Sequence, residues 1–536
     1  MTIRINNIRL SLDEDVSALK SLASNILKVS GKDIYDFKII KESIDARRKE
    51  KINFIYSVEI SLPAGEKLIS QKCGNNDVSF QEIPAIPKLI YGEKKLKARP
   101  IIIGSGPAGL YAGLLLAKNG YKPIIFERGK CVAERTEAVK KFWAASTFDT
   151  ECNVQFGEGG AGTFSDGKLT TRIKDTRCDI VLDEMIKSGA PEEIKYNYKP
   201  HIGTDILKTV VTNIRNNIIE LGGEVHFSSK LTDVKINNGK IDSITINNTN
   251  HIDCDVLIIA IGHSARDTYE MLLRCGATLT QKPFAVGFRI EHKQSMIDES
   301  QYGIFAQHPK LRVADYRMAY QSKRYDRPCY TFCMCPGGLV VAAASEENGV
   351  VTNGMSEHAR DMENANSAIV CGVKVEDFGS SSPLSGINYQ RRLEELAYKH
   401  GGGDYMAPVQ RVDDFLKSTI TTRIGNVKPS YTRGYNFSDL NNSVPPVISA
   451  VIKEGLVDFN NKIKGFSCGD SILTAIETRT SAPVRIDRNE VLQSVNISGL
   501  YPTGEGAGYA GGIITSAVDG IRVAEEVMKL YAPIER

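Results

Sequence analysis

Apolar and polar residues alternate along Ile3–Leu12, Ile34–Lys41 and Ile52–Leu62, the period of half-buried strands. Between the first two, Val16, Leu19, Leu22, Ile26 and Leu27 recur at helical spacing. The first 90 or so residues therefore predict a small β-α-β-β unit. A stretch rich in proline and lysine follows (Pro84, Pro87, then Glu93–Pro100) and marks a domain boundary. Arg99–Ile103 is a short apolar strand, Leu110–Asn119 a helix ended by Gly120, and Lys122–Phe126 a second strand. Asp205–Leu221 reads as a helix ended by Gly222-Gly223. Glu224–Phe227, Leu231–Ile236 and Ile241–Ile246 read as strands, the last two joined by a tight Asn237-Asn238-Gly239 turn. Asp255–Ile261 is a buried strand ending at Gly262. From about 280 to 490 the pattern mixes short strands and long loops, which predicts an inserted domain. A strand at Gly499–Thr503, a glycine run and a helix over Ile513–Leu530 follow. The expected division is 1–92, 93–280, 281–490 and 491–536, with the second and fourth segments forming one domain.

Composition narrows the class. The chain has 536 residues, 42% hydrophobic and 24% charged, which are ordinary globular values. Lysine and arginine total 67 against 64 aspartate and glutamate. A net charge of +3 gives no electrostatic case for a dedicated nucleic-acid binder. The longest apolar runs, such as Val256–Ile261, fall far short of the ~20 residues a spanning helix needs, so no membrane partner is expected. The N-terminal Met-Thr-Ile-Arg-Ile-Asn-Asn lacks the apolar core of a signal peptide, and the eleven cysteines are scattered. A reducing, cytoplasmic location is expected. There is no Cys-x-x-Cys pair, which argues against a dithiol centre or a common iron–sulfur site. Cys329, Cys333 and Cys335 all carry odd numbers and in a regular strand would share one face, as small core residues. The eight histidines show no metal-ligand spacing, so no metal is expected.

The chemistry begins at Gly104-Ser-Gly106-Pro107-Ala108-Gly109, between a predicted strand and a predicted helix, with Glu127 closing the next strand. Gly104 permits the tight turn, Gly106 lets the backbone approach a pyrophosphate, and Gly109 lets helix and strand pack closely. Backbone N–H groups and the positive helix end then face the phosphates, and Glu127 suits the ribose hydroxyls. A second Gly-x-Gly-x-x-Gly stands at Gly506, Gly508 and Gly511. Too few residues follow it for another nucleotide fold, so it is expected to complete the first one.

Gly104–Gly109 with Glu127-Arg128, the strand and turn at Ile258–Gly262, and Thr503-Gly504-Glu505-Gly506 followed by Gly511-Gly512 resemble the three FAD segments of the glutathione-reductase-type flavoprotein superfamily. Phe156–Lys168 and Glu477–Arg485 look like the uncharacterised bacterial FAD-dependent dehydrogenase (NAD(FAD)-utilising) family, related to the HI-0933-like flavoproteins. The resemblance covers nearly everything after residue 95. It implies an α/β FAD-binding Rossmann-like domain with an inserted mixed α+β substrate domain and a small N-terminal domain. It implies non-covalent FAD held by Gly104, Gly106, Pro107, Ala108 and Gly109 at the pyrophosphate and Glu127 at the ribose. Arg128 would lie beside the adenosine half, Arg135 would reach the phosphates, and the Leu231 backbone would meet the adenine. Gly160, Gly162 and Gly262 would lie against the cofactor. Gly504 and Glu505 would meet the ribityl chain, where the family usually has aspartate. Gly511, Gly512 and Ile513 would face the pyrimidine edge of the flavin.

The flavin implies a two-half-reaction oxidoreductase acting on a small organic substrate, with NAD(P)H a transient donor, since no second dinucleotide fold is present. The missing Cys-x-x-Cys excludes disulfide reduction of the glutathione-reductase type. Candidate substrate-facing residues are Lys168 with Arg172, Glu477, Arg479 and Tyr509. Each has a plainer alternative: solvated charge for the lysine and Arg172, an internal salt-bridge network for Glu477 and Arg479, an apolar wedge for Tyr509. His263 is read as structural rather than catalytic. Two rival functions remain. A flavin-dependent tRNA-modifying enzyme draws on the N-terminal unit and the basic linker Lys94, Lys95, Lys97, Arg99; near-neutral charge speaks against it. A non-enzymatic FAD-binding sensor or scaffold sits poorly with the specialised glycine and Glu-Thr-Arg segments.

Overall fold

The computed structural model describes residues 1–82 and 88–534. Pro84 and Pro87 of the predicted linker lie outside the described residues. The chain forms two compact units: Met1–Lys88 with Pro191–His201 and Asp298–Ala314, and Leu89–Ala190 with Ile202–Ile297 and Asp315–Arg536.

In the first unit, Asp36–Asp45, Asn53–Ser61, Thr2–Ser11 and Val78–Gln81 form an antiparallel sheet in that order. Helices Ala18–Leu27 and Glu66–Lys72 complete a β-α-β-β-α-β chain order, the split βαβ arrangement of ferredoxin-like folds. The predicted unit lacked the last helix and strand. The physical reason is weak patterning: Glu66–Lys72 buries only Ser70 and leaves Leu68 exposed, and Val78–Gln81 is a four-residue edge strand. Along Thr2–Ser11 the apolar phase switches from Ile3 and Ile5 to Ile8 and Leu10. A bulge with Asn7 at φ 57° absorbs the extra residue, so all four side chains stay in the core.

The second unit contains a five-stranded parallel sheet ordered Leu500–Pro502, Leu257–Ile259, Ile101–Ile103, Ile124–Phe126, Glu224–His226. In chain order this is 3-2-1-4-5, the doubly wound nucleotide-binding arrangement. The C-terminal glycine run thus does complete the first fold, through the pairing of Leu500–Pro502 with Leu257–Ile259. Leu231–Asn237, Lys240–Ile246 and Asn250–Asp253 form a meander, and Asn238 and Gly239 both adopt the left-handed conformations of the predicted turn.

Between residues 280 and 490 the structure corrects the expectation of short strands and long loops. A seven-stranded sheet runs Ala319–Ser322, Arg327–Cys335, Asn364–Val373, Phe284–Lys293, Ile472–Glu477, Ala407–Arg411, Tyr435–Phe437. Helices Ser385–His400 and Pro446–Lys462 pack on it. Phe284–Lys293 and Asn364–Val373 pair along ten residues and are buried nearly throughout, so they carry no alternation to read.

Candidate functional site

The helix Pro107–Lys118 starts directly from strand Ile101–Ile103, with Gly104 at φ 100° making the turn. A side chain at Gly104 would overlap the Ala260 carbonyl, and one at Gly109 the Gly104 carbonyl, so both must be glycine. The 157–162 loop seats on this turn: Gly159 N–H donates to Ser105 O at 2.9 Å, and a Cβ on Gly160 would lie 3.1 Å from Gly106 Cα. A Cβ on Gly162 would meet Ile513 at 3.3 Å, and one on Gly504 would meet Ala108 Cβ at 2.7 Å. Three glycine segments far apart in the chain thus converge at the carboxyl edge of the parallel sheet. Beside them is space: a Cβ on Gly262 or Gly511 would meet nothing within 4 Å, and one on Gly512 only Thr515 Oγ1 at 3.8 Å. The helix Ile513–Leu530 begins here, and its first N–H groups lack intrahelical acceptors.

Glu127 is buried, and four donors converge on its carboxylate: Ser105 N–H at 2.9 Å, Ser105 Oγ at 2.8 Å, and the N–H groups of Gly129 and Gly157, both at 3.0 Å. It therefore ties the 104–109 turn to the 157 loop; of the four donors, only the serine hydroxyl can rotate away. Arg135 differs from the expected phosphate contact. Its fully buried guanidinium donates to the carbonyls of Asn153, Val154, Gly157, Glu158 and Gly160, so it braces the glycine loop from beneath. Arg128 stacks on Phe156 at 4.1 Å and is held by Glu151 and by both oxygens of Asp267, with Lys230 bridging the same two acids. Leu231 points into the core, its backbone paired with Ile246. Asp519 was not singled out from sequence, yet it accepts from Thr503 Oγ1, Gly504 N–H and Arg488, fixing the C-terminal glycine segment. An acid inside the buried stripe of Ile513–Leu530 was the available signal.

The catalytic candidates separate. Glu477 is almost fully buried in a bidentate pair with Arg289, both bonds at 2.9 Å. Arg479 lies with Arg266 around Glu394, whose carboxyl they hold well below the usual carboxylate range against the opposing effect of burial. Both Glu477 and Arg479 thus sit in internal ion-pair networks, and Arg479 also donates to Ser264 at 3.0 Å. Lys168 donates to the Met334 carbonyl. Tyr509 is turned outward over Arg488 at 3.9 Å and Arg485 at 5.1 Å, its hydroxyl accepting from Arg488 N–H. Burial pushes Glu505 up to about 7, with Lys282 pulling it down and Cys333 pushing it further up. Burial and the nearby Arg479 and Arg266 push His263 down to about 3, so its ring is neutral and hydrogen-bonds Ser264 at 2.8 Å. Lys282 and Arg289 also escaped notice in the sequence, because neither lies in a motif. Among the described residues, no group of three or more His, Cys, Asp or Glu side chains is placed to hold a metal, and no helix is long and apolar enough to cross a membrane.

Comparison with known proteins draws these segments together. Residues 98–271 match the pyridine nucleotide-disulphide oxidoreductase family, and 283–480 match the C-terminal domain-like family of FAD-dependent proteins. An uncharacterized protein of Clostridium beijerinckii is 55% identical over 531 residues, 99% of each chain. The chain belongs to the FAD-dependent oxidoreductases. Its cofactor is FAD, and the non-enzymatic scaffold reading falls away. Residues 2–61 match a domain of unknown function. Similar solved structures include a flavoprotein/dehydrogenase from Cytophaga hutchinsonii (11% identity, 81% of this chain and 79% of that chain, TM-score 0.33). Glycine oxidase from Bacillus cereus is another (9% identity, 82% and 99%, TM-score 0.32). At these TM-scores neither likeness says anything about the reaction.

Proposed function

We propose that this oxidoreductase moves hydride between FAD and a small organic substrate, with NAD(P)H docking transiently as electron donor. The observation that carries the reading is the open edge where the 104–109, 157–162 and 511–513 segments meet, because backbone N–H groups and glycine surfaces there suit a dinucleotide and a planar ring. Gly104, Gly106, Pro107, Ala108 and Gly109 hold the pyrophosphate, and Gly160 and Gly162 cover it. Glu127 takes a ribose hydroxyl in place of the Ser105 hydroxyl. Gly504 and Glu505 meet the ribityl chain, and Gly262, Gly511, Gly512 and Ile513 border the ring, where the helix N-terminus favours negative charge. Bound FAD supplies the hydride chemistry at its ring; the chain orients it and sets the charge around it. Lys168 and Lys282 supply positive charge for an acidic group of the substrate. Glu505, half-protonated near neutrality, is positioned to hold or release a proton at its carboxyl.

The test is an anaerobic visible spectrum of the purified protein before and after NADPH, then NADH. Bleaching of the yellow band by either nucleotide is the expected result. A band that persists with both removes nicotinamide as donor and leaves a substrate-reduced dehydrogenase.

A further inference from the structure

The strand Leu257–Ile259 runs into a loop that two of the glycine segments grip. A Cβ on Gly104 would lie 2.4 Å from the Ala260 carbonyl oxygen, and one on Gly506 would lie 2.6 Å from the Gly262 carbonyl oxygen. The Tyr269 hydroxyl closes the second contact, reaching Gly506 O at 2.6 Å and Gly262 O at 3.2 Å. Gly262 itself is exposed, at φ 66°. The next side chain, His263, is partly exposed and stands at the rim of the open edge.

The hydrogen bonds around this ring fix which nitrogen carries its proton. Nδ1 lies 2.8 Å from Ser264 Oγ. That oxygen accepts from Arg479 Nη1 at 3.0 Å, since a guanidinium can only donate. The one hydroxyl proton is left for His263 Nδ1 or for Gln155 Oε1, which is 3.4 Å away. The shorter contact takes it, so Nδ1 is an acceptor and a neutral ring carries its proton on Nε2. The partners are themselves held. Arg479 binds Glu394 through Nε at 3.1 Å and Nη2 at 2.9 Å, and also donates to Ser345. Gln155 donates to Ala343 O at 3.2 Å. Desolvation disfavours the charged ring most; Arg479, Arg266 and Lys282 add to it, Glu394 alone opposes, and His263 falls to about 3. Among the described residues, Nε2 has no hydrogen-bond partner.

We propose that His263 is a fixed, uncharged hydrogen-bond donor, through Nε2–H, to the ring of bound FAD, and that Ser264 is the positioning residue that sets its tautomer. The proposal rests on FAD occupying the open edge described above. Such a donor holds the ring more tightly in its reduced, more negative state, because hydrogen bonds to charged acceptors are the stronger ones. The imidazole keeps its single proton throughout, so its contribution does not depend on pH near neutrality.

The test joins nitrogen-15 NMR of the histidine-labelled full chain to redox titration of its flavin. The His263 signals are assigned by their loss in His263→Phe. In wild type, Nε2 should be the protonated nitrogen from pH 5 to 8, with its resonance moving when FAD is added. His263→Phe keeps a ring without a donor. Its preference for reduced over oxidised FAD should fall roughly tenfold, read as a lower midpoint potential, by the same amount at pH 5 and pH 8. Ser264→Ala should show both tautomers. A wild-type ring protonated on Nδ1, or on both nitrogens at pH 5, overturns the fixed uncharged donor. An unmoved Nε2 resonance with an unchanged potential in His263→Phe overturns the contact with the flavin. A single tautomer in Ser264→Ala overturns the role given to Ser264. A wild-type protein that lacks a flavin spectrum and cannot be reconstituted with FAD overturns the occupancy reading instead, a result distinct from the others.

Discussion

At the scale of single residues, several buried charges of the second unit are held in ion pairs. Glu394 neutralises two arginines, the fully buried Arg266 and the largely buried Arg479. Glu394→Gln leaves Arg479 without its ion-pair partner and Arg266 with Glu346 alone, and unfolding free energy is expected to fall by about 3–5 kcal/mol, measured by denaturant titration. An unchanged midpoint would show that the arginines find other partners. Glu505 has the opposite character, since burial raises its carboxyl to about 7 from an ordinary value near 4.5. The unfolded chain releases this proton at lower pH than the folded chain. Stability from this group is therefore complete below about pH 4.5 and is lost as pH rises toward 7. Glu505→Gln should flatten the decline of the thermal midpoint between pH 5 and 7, whereas parallel wild-type and variant curves would refute the shift. Of these residues, Glu505 and Arg479 could be found by motif. Arg266, Arg289 and Glu394 could not, because a charge inside an ion pair leaves no local pattern.

Elements meet here through glycine. A Cβ on Gly520 of the C-terminal helix would overlap the Ala108 carbonyl in the first turn of Pro107–Lys118, the helix that follows the Gly104 turn. Gly520→Ala must push the two helices apart, and both begin at the proposed FAD edge. The expected cost is about 1–3 kcal/mol in stability, with FAD lost more readily on gel filtration than from wild type. Full retention with an unchanged melting temperature would show that the helices yield elsewhere. The β-α-β start of the second unit was legible because strand, turn and helix are contiguous. The long central strands were not, because full burial removes the alternation that marks a strand.

For the whole molecule, one unit is assembled from three separate stretches of chain. Glu42 N–H donates to Tyr196 O at 2.6 Å, Tyr198 N–H to Glu42 O at 2.8 Å, and Lys310 to Glu14 O at 2.8 Å. Deleting residues 1–88 strips 191–201 and 298–314 of their partners. Soluble yield is expected to drop several-fold; a truncated chain recovered at wild-type yield with full flavin content would contradict this. By itself the sequence determined the nucleotide-binding fold, the small leading α/β unit and the FAD-type glycine segments, because each is encoded in contiguous residues with local conformational demands. Tertiary structure alone decided two things: that Arg135 braces the glycine loop from beneath, and that Glu477 is committed to Arg289. Those outcomes depend on which distant groups satisfy a buried donor or charge, and spacing along the chain holds no record of that.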